Sequence, residues 1–205
     1  AKTYPAEKGF EAVSNGLQVL GGYGYCSDFV LQQYFRDIRI FSIYEGTTGI
    51  QSMDLLGRKI TMDQGAALTH LAGEMGKTIK MAMAEEALKP HAESLSGKTE
   101  LMKKVLTHLM GYAGTGNYER FLADATVFMD FFGNILVGWL WLDMAVEAHK
   151  ALSEGRSRQA KGFYKRKIHA MQFYFTYELP KTESQAQVLL NTLDLTVAVE
   201  DEVFE

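Results

Sequence analysis

The sequence predicts an all-α protein, and three observations lead to this prediction. Apolar residues recur at steps of three and four along most of the 205 residues, no segment alternates apolar and polar residues as a half-buried strand does, and glycine or proline separates the periodic segments. A weak boundary near residues 62–65 divides the chain. We predict helices of an incomplete helical domain over residues 1–62 and an antiparallel helical bundle over 63–205.

Residues 1–62 contain three predicted helices. The first precedes a run of glycines that stops it, and its apolar face consists of Phe10, Val13, Leu17 and Leu20. A short second helix is predicted over 30–38, and the third has an apolar face made of Ile50, Met53, Leu56 and Ile60. Thr48 and Gln51 have the spacing of a capping box at the start of this third helix. Three helices are too few to enclose a core, so their apolar faces are expected to pack against absent chain or a partner.

The prediction of a helical bundle over residues 63–205 depends mainly on one long helix, which is predicted to end at Gly155. Its apolar seam alternates steps of four and three: Phe121, Ala125, Phe128, Phe132, Ile135, Trp139, Leu142, Val146 and His149. We predict two helices before it, one that includes Leu68 to Ile79 and ends by Pro90, and one over 101–110. Two more are predicted after it, over 164–175 and 186–197.

Composition excludes several classes of site. Cys26 is the only cysteine, so neither an intrachain disulfide nor a zinc-thiolate site can form, and the chain suits a reducing cytoplasm. The five histidines lack metal-ligand spacing, and we expect no metal. A formal net charge of -4 gives no overall positive field, so nucleic acid is not an expected partner. No run of 18 apolar residues occurs, and no membrane partner is expected.

Three motifs follow one another over residues 18–51. The first is a glycine-rich loop, Gln18-Val19-Leu20-Gly21-Gly22-Tyr23-Gly24-Tyr25. The second is the pair Arg36-Asp37, which we predict to be structural, and the third is Ile43-Tyr44-Glu45-Gly46-Thr47-Thr48-Gly49-Ile50-Gln51. In this order and spacing they resemble the C-terminal signature of FAD-dependent acyl-CoA dehydrogenases. The longer match through residues 54–59 is most similar to the long bacterial branch that includes methylthiopropanoyl-CoA dehydrogenases.

The resemblance implies a catalytic role for Glu45. In this family the glutamate of the Tyr-Glu-Gly-Thr motif removes the α-proton of an acyl-CoA thioester while the β-hydrogen leaves as hydride to flavin N5. A carboxylate is needed because the base must accept a carbon-bound proton in a water-poor pocket. The backbone N–H of Glu45 would also bind the thioester carbonyl. Tyr44 and Gly46 would contact the substrate, with an exposed loop glutamate and a half-buried tyrosine as the structural alternatives.

The resemblance also assigns residues to the cofactor FAD. Gln18, Gly21 and Gly22 match a loop that contacts the adenosine half of an FAD bound mainly by a neighbouring subunit, although the glycines would serve equally as a helix C-cap. Thr47 matches a residue that contacts FAD with its hydroxyl and N–H near the pyrophosphate or ribose, and Gln51 would do the same or only cap its helix. The segment 26–28 departs from the family pattern, which puts the loop's cofactor contact in doubt.

The resemblance implies partners as well. These are an acyl-CoA of fatty acid metabolism, an electron-transfer flavoprotein or similar acceptor, and further copies of the same chain. Residues 1–62 would be the C-terminal helices of the dehydrogenase helical domain, and 63–205 an added helical bundle. Because the family's N-terminal helical domain and middle β-domain are absent from this sequence, the isolated chain is expected to be inactive.

Two other classes of function stay open. One is a non-enzymatic helical module for oligomerisation or interaction, in which the motifs are inherited without activity. The other is a nucleic-acid-binding relative, for which the basic cluster is the sole support: Arg156, Arg158, Lys161, Lys165, Arg166 and Lys167. A solvated helix face is the favoured interpretation of that cluster.

Overall fold

The computed structural model describes residues 1–155, 159–197 and 203. The protein is 80% helical, and the described residues contain no strand, which confirms the all-α prediction. The chain divides into two compact units, Ala1–Leu55 and Leu56–Glu205.

The N-terminal unit contains four α-helices. They are α1 (Thr3–Leu20), α2 (Gly22–Tyr25), α3 (Leu31–Arg39) and α4 (Thr48–Asp54), and a 3₁₀ turn, Ile40–Ser42, continues α3. Helices α1 and α3 pack through the rings of Phe10 and Phe35, whose centroids are 4.8 Å apart. Arg39 strengthens this contact, because its guanidinium lies 5.2 Å from the Phe10 ring centre and 3.4 Å from the Glu7 carboxylate.

The N-terminal unit has little core of its own. Its buried side chains are small: Thr3, Ala6, Ser42 and Ser52. Large apolar side chains are exposed along its length, and Val19 and Tyr25 are 86% and 89% exposed. Four short helices therefore leave much of their apolar surface in contact with solvent, which is the arrangement expected from a sequence with too few elements to enclose a core.

The described residues of the C-terminal unit form six α-helices, which are built around the longest of them. After a π-helical turn at Leu55–Lys59 they are α5 (Met62–Met83), α6 (Lys89–Gly114), α7 (Tyr118–Ala123), α8 (Ala125–Ser153), α9 (Lys161–Tyr177) and α10 (Lys181–Leu189). Helix α8 packs against α5, α6, α9 and α10. It is long and apolar enough to span a membrane by length and composition, but its apolar side chains fill the interior of this bundle as those of a core helix do.

The apolar seam predicted for the long helix is confirmed along α8, but it is interrupted on the N-terminal side of that helix. Phe128, Ile135, Leu142 and Val146 are completely buried, and Phe132 is nearly so. Phe121 belongs to the separate short helix α7, because Asp124 has non-helical backbone angles, φ −104° and ψ 27°. The long helix consequently begins at Ala125.

Two predicted helix boundaries are wrong. The helix predicted to begin at residue 101 begins at Lys89, and Pro90 lies in its first turn, where proline's missing N–H costs nothing. The last helix ends at Leu189, because the Asn191 side chain accepts a hydrogen bond from the backbone N–H of Leu193 and forms a local turn. The stretch from residue 191 to 194 is not helical, and Leu193 is 59% exposed.

The weak boundary near residues 62–65 corresponds to a left-handed turn. Asp63, Gln64 and Gly65 have φ values of 50°, 57° and 79°, so the first turn of α5 is not a continuous right-handed helix. The domain division at residues 62–63 stays a prediction.

We expect residues 66–205 to fold without residues 1–62. The largest fully buried side chains of the protein lie almost entirely in this later segment: Phe128, Phe131, Met75, Leu88, Leu95, Ile135, Leu142, Met171, Leu179, Leu189 and Val105. A purified 66–205 segment should therefore show one cooperative unfolding transition in urea, followed by circular dichroism, whereas a 1–62 peptide should show none. A gradual, non-cooperative loss of helix in the 66–205 segment would contradict the division.

Arg120 binds Asn191 and Asp194, which follow the last helix, and so holds this segment against the bundle. Its buried guanidinium donates to the Asp124 carboxylate at 2.8 Å and to the Asn191 carbonyl at 2.6 Å, and its Nε lies 3.3 Å from the Asp194 carboxylate. Burial lowers the pKa of Arg120, but the hydrogen bond and charge of Asp124 outweigh that effect and the net pKa is raised. Two nitrogens of the guanidinium are thus hydrogen-bonded inside the protein, whereas Nε lies near the Asp194 carboxylate without a hydrogen bond.

Arg120→Met is expected to lower the free energy of unfolding by about 3 kcal/mol, because it leaves the Asp124 carboxylate and the Asn191 carbonyl without their donor. Lys103→Met is the matched control, since Lys103 forms an exposed pair with Glu100 and its loss should change stability by less than about 1 kcal/mol. Urea unfolding of both variants measures the difference. Equal transition midpoints would show that the buried cation contributes no more than a surface one.

Candidate functional site

The backbone around Glu45 forms a left-handed turn at the start of α4. Glu45 has φ 53° and Gly46 has φ 95°. Glycine adopts such angles freely, whereas a residue with a side chain adopts them at a cost. We call residues 44–47 the glutamate turn. Its unusual backbone requires contacts that hold it in place.

Side chains bind three successive carbonyl groups of the glutamate turn. Lys2, at the start of α1, donates from Nζ to the carbonyls of Tyr44 and Gly46. The amide of Gln51 donates to the carbonyl between them, that of Glu45, at 2.8 Å. These contacts fix the direction of each peptide group in the turn.

The sequence prediction of a capping box at Thr48 is wrong. The N-cap of α4 is Thr47, which has an extended backbone and a side-chain oxygen that accepts from the Ile50 N–H at 3.5 Å. Thr48 is already inside the helix, and its hydroxyl donates to the Glu7 carboxylate of α1. Gln51 binds the Glu45 carbonyl and so does not complete a capping box.

The predicted substrate-contacting residues lie on the surface of the N-terminal unit. Glu45 is exposed, and Tyr44 is 44% exposed, with its ring centre 6.0 Å from that of Phe41 and 5.4 Å from Lys2 Nζ. Within the described residues, the N–H of Glu45 donates to no backbone carbonyl. A side chain at residue 46 would clash, because a Cβ there would lie 2.9 Å from Gln51 Nε2. The turn therefore presents a carboxylate, an N–H and an aromatic ring on one exposed loop.

The glycine-rich loop, residues 18–25, ends α1 as predicted. Gly21 has φ 60° and donates its N–H to the Gln18 carbonyl at 3.1 Å, so it is a helix C-cap. A Cβ at Gly21 or Gly22 would meet nothing within 4 Å, so a ligand can approach this backbone closely. Gly24 is different, since a Cβ there would lie 2.8 Å from the Leu17 carbonyl oxygen. It is needed for packing, and the first two glycines are the ones open to a ligand.

The two sets of predicted FAD contacts are not brought together. Thr47 and Gln51 lie at the glutamate turn, which Lys2 joins to the start of α1, whereas Gln18 lies at the other end of that helix. Gln18 is sixteen positions after Lys2, which corresponds to about 24 Å along an α-helix. The glutamate turn and the glycine-rich loop are therefore two separate regions of the N-terminal unit.

Other sequence candidates have modest roles. The structural role of Arg36 and Asp37 stays a prediction, and it is Arg39 that makes an ion pair with α1, through Glu7. No cluster of three or more histidine, cysteine or carboxylate side chains is placed to hold a metal among the described residues. Of the basic cluster, Lys167 lies 5.5 Å from the Trp141 ring centre and 5.6 Å from that of Phe163, while residues 156 and 158 fall outside the described residues.

Sequence reasoning missed Lys2 and Glu7. Both contact the glutamate turn from α1, more than 40 positions away in the chain. Neither lies in a motif, and hydrogen bonds to backbone carbonyls leave no periodic signal in a single sequence.

Comparison with known families gives two adjoining matches. Residues 1–60 match the acyl-CoA dehydrogenase C-terminal domain, and residues 71–200 match the family described as acetyl-CoA dehydrogenase C-terminal like. The first match contains both the glycine-rich loop and the glutamate turn. The second contains α6 to α10 and most of α5.

Curated relatives match across both regions. The chain is 32% identical to a broad-specificity linear acyl-CoA dehydrogenase of Mycobacterium tuberculosis, over 96% of this chain and 33% of the relative. It is 33% identical to a 3-methylmercaptopropionyl-CoA dehydrogenase of Ruegeria pomeroyi, over 75% of the chain and 26% of the relative. It is 30% identical to a butyryl-CoA dehydrogenase of Syntrophomonas wolfei, over 88% and 29%. The chain thus spans a third or less of the length of these relatives.

Proposed function

Because this chain belongs to the acyl-CoA dehydrogenase family, we propose that it is the C-terminal part of an FAD-dependent enzyme that oxidises the α and β carbons of an acyl-CoA thioester. The observation that carries the proposal is the glutamate turn. An exposed carboxylate follows an aromatic ring and precedes a helix start, on a backbone that three side-chain hydrogen bonds hold in a left-handed conformation.

In this proposal Glu45 is the base. Its carboxylate accepts the α-proton as the α C–H bond breaks, and the electrons of that bond form the double bond to the β carbon. The β-hydrogen leaves with its electron pair, for which FAD, when bound, supplies the acceptor. The Glu45 N–H donates to the thioester carbonyl oxygen and stabilises the negative charge that develops there.

Tyr44 and Gly46 complete the substrate contact. The Tyr44 ring, exposed beside the carboxylate, provides an apolar wall for the acyl chain. Gly46 lets the substrate approach the backbone, at a position where a Cβ would displace the Gln51 amide. Both roles are proposals that follow from the position of these residues in the turn.

The residues proposed to hold FAD retain unused hydrogen-bonding capacity. The Thr47 oxygen accepts from the Ile50 N–H, which leaves its hydroxyl hydrogen to donate, and Gln51 uses one of its two amide N–H bonds on Glu45. Gln18, Gly21 and Gly22 offer open backbone at the far end of α1. Because the two regions are about 24 Å apart along α1, we propose that the glycine-rich loop contacts an FAD held mainly by a neighbouring subunit. This requires a homo-oligomer.

The remaining partners follow from the same proposal. The substrate is an acyl-CoA, the reduced flavin passes its electrons to an electron-transfer flavoprotein or similar acceptor, and the enzyme works in the cytoplasm. Residues 1–62 complete the dehydrogenase helical domain, and residues 63–205 form the added bundle.

The complete protein that contains this chain tests the proposal. Anaerobic addition of butyryl-CoA and longer linear acyl-CoA thioesters should bleach the visible absorbance of its flavin, and the enoyl-CoA product should appear in equal amount. Free coenzyme A is the control and should leave the flavin oxidised. A protein that binds no flavin, or whose flavin none of these thioesters reduces, would contradict the proposal.

A non-enzymatic helical interaction module is the second candidate. It is supported by the exposed apolar residues of the N-terminal unit, such as Val19 and Tyr25. A complete protein that oligomerises through this unit but contains no flavin would favour it.

A further inference from the structure

Lys2, the residue that immediately precedes α1, contacts the glutamate turn. Its ammonium donates to the carbonyls of Tyr44 and Gly46, the two groups that flank Glu45, and it also lies 5.4 Å from the centre of the Tyr44 ring. An ammonium group has three N–H donors and accepts no hydrogen bond. One side chain thereby binds the peptide group that ends at the Glu45 nitrogen and the peptide group that follows Gly46.

A second contact, from Glu7 of α1, holds Thr48, the residue that follows the glutamate turn. The hydroxyl of Thr48 donates to the Glu7 carboxylate, whose other oxygen lies 3.4 Å from the Arg39 guanidinium. The glutamate turn is thus attached to α1 before Glu45 and after it. Gln51 holds the carbonyl of Glu45 itself from the α4 side.

These contacts matter because the turn is otherwise disfavoured. Glu45 and Gly46 both have left-handed φ values, and a glutamate has no intrinsic preference for that conformation. Without a donor at the Tyr44 carbonyl, the peptide group that carries the Glu45 N–H can rotate, and without one at the Gly46 carbonyl the backbone just after Glu45 loses a restraint. Charge-assisted hydrogen bonds to both carbonyls oppose that rotation.

We infer that Lys2 is a positioning residue for the proposed base: it fixes the backbone of the glutamate turn so that the carboxylate and N–H of Glu45 keep a single orientation. The inference rests on the proposed function of Glu45. Lys2 itself contacts neither of the reacting carbons, and its effect is exerted through the backbone of residues 44–46.

Lys2→Met in the complete enzyme tests the inference by kinetics. We expect kcat per bound FAD to fall about 10- to 100-fold, which is the cost of a small misplacement of a catalytic group, while KM for the acyl-CoA changes little. Lys2→Arg should restore most of the rate, because a guanidinium also donates to two carbonyls. Lys8→Met is the matched control on the same helix, since Lys8 pairs with Glu11, and its kcat should equal that of the wild type.

Limited proteolysis provides a readout that does not depend on activity. A glutamate-specific protease cleaves after Glu45 only when the turn opens, so Lys2→Met should accelerate cleavage between residues 45 and 46 about 10-fold or more, whereas Lys8→Met should not. Rates per bound FAD and cleavage rates are both measured on folded protein. If Lys2→Met does not fold, Lys2→Gln, which retains an uncharged N–H donor group on a shorter side chain, is expected to show both effects at smaller size.

The outcomes separate this inference from the proposed function. A wild-type enzyme whose flavin is not reduced by acyl-CoA overturns the proposed function and the inference with it. An active wild type, an inactive Glu45→Gln variant and a Lys2→Met variant with wild-type kcat overturn the inference alone. Faster cleavage without a fall in kcat also overturns it, because Lys2 would then order the turn without positioning the base.

Discussion

Glu45→Gln in the complete enzyme should remove nearly all acyl-CoA dehydrogenation while FAD stays bound. The amide keeps the size of the carboxylate and can still form hydrogen bonds, but it cannot accept the α-proton. General bases typically contribute about 10²- to 10⁴-fold to the rate, and we expect a loss in the upper part of that range because no second carboxylate lies in the glutamate turn.

The substitution Glu45→Gln should leave the backbone of the glutamate turn unchanged. The contacts that hold the turn reach the backbone carbonyls of residues 44–46 and do not involve the Glu45 side chain. Flavin content and thermal stability should therefore match the wild type. Glu100→Gln, which alters an exposed ion pair on α6, serves as the control and should retain full activity. A Glu45→Gln enzyme with near-normal turnover would remove Glu45 from its proposed role.

The 205-residue chain purified alone should be colourless, inactive and self-associating. It offers FAD only the glutamate turn and the glycine-rich loop, which lie at opposite ends of α1. Two partial and separated contacts should not retain a cofactor. Association is expected because the N-terminal unit exposes many large apolar side chains: Val19, Tyr23, Tyr25, Val30, Tyr34, Ile40, Phe41, Ile43 and Ile50.

Light scattering measures the self-association of the chain, and a visible spectrum shows whether flavin is bound. A chain beginning at Gly65 should be monomeric, and Val19→Lys with Tyr25→Lys in the full 205 residues should reduce association, since both positions are highly exposed. A yellow, monomeric 205-residue protein whose flavin is reduced by acyl-CoA would show that this chain alone contains a sufficient active site.

The helices were largely predictable because their apolar faces are regular. The buried seam of α8 is confirmed at Phe128, Ile135 and Leu142. Boundaries were less predictable, since they depend on local backbone geometry. The start of α6 was predicted at residue 101 although it lies at Lys89, with Pro90 in the first turn, and the break at Asp124 carries no glycine or proline to mark it.

The family and the glutamate turn were predictable from three motifs in order, and the family resemblance is confirmed. The contacts that hold the turn were not predictable. The capping prediction was displaced by one residue, because the capping-box pattern selects Thr48, with Gln51 three positions later, whereas the backbone angles make Thr47 the N-cap. Lys2 and Glu7 contact the turn through the tertiary packing of α1, which the spacing of residues along the chain does not encode.

The order of packing in the C-terminal unit has a consequence for the speed of folding. Helix α5 packs against α6 and α8 against α9, so much of the bundle is formed between helices that follow each other in the chain. Each such hairpin closes a short loop, and topologies rich in local contacts have small entropic barriers. A newly synthesised bundle should therefore fold quickly, so that the apolar face of α8 is exposed to other chains only briefly.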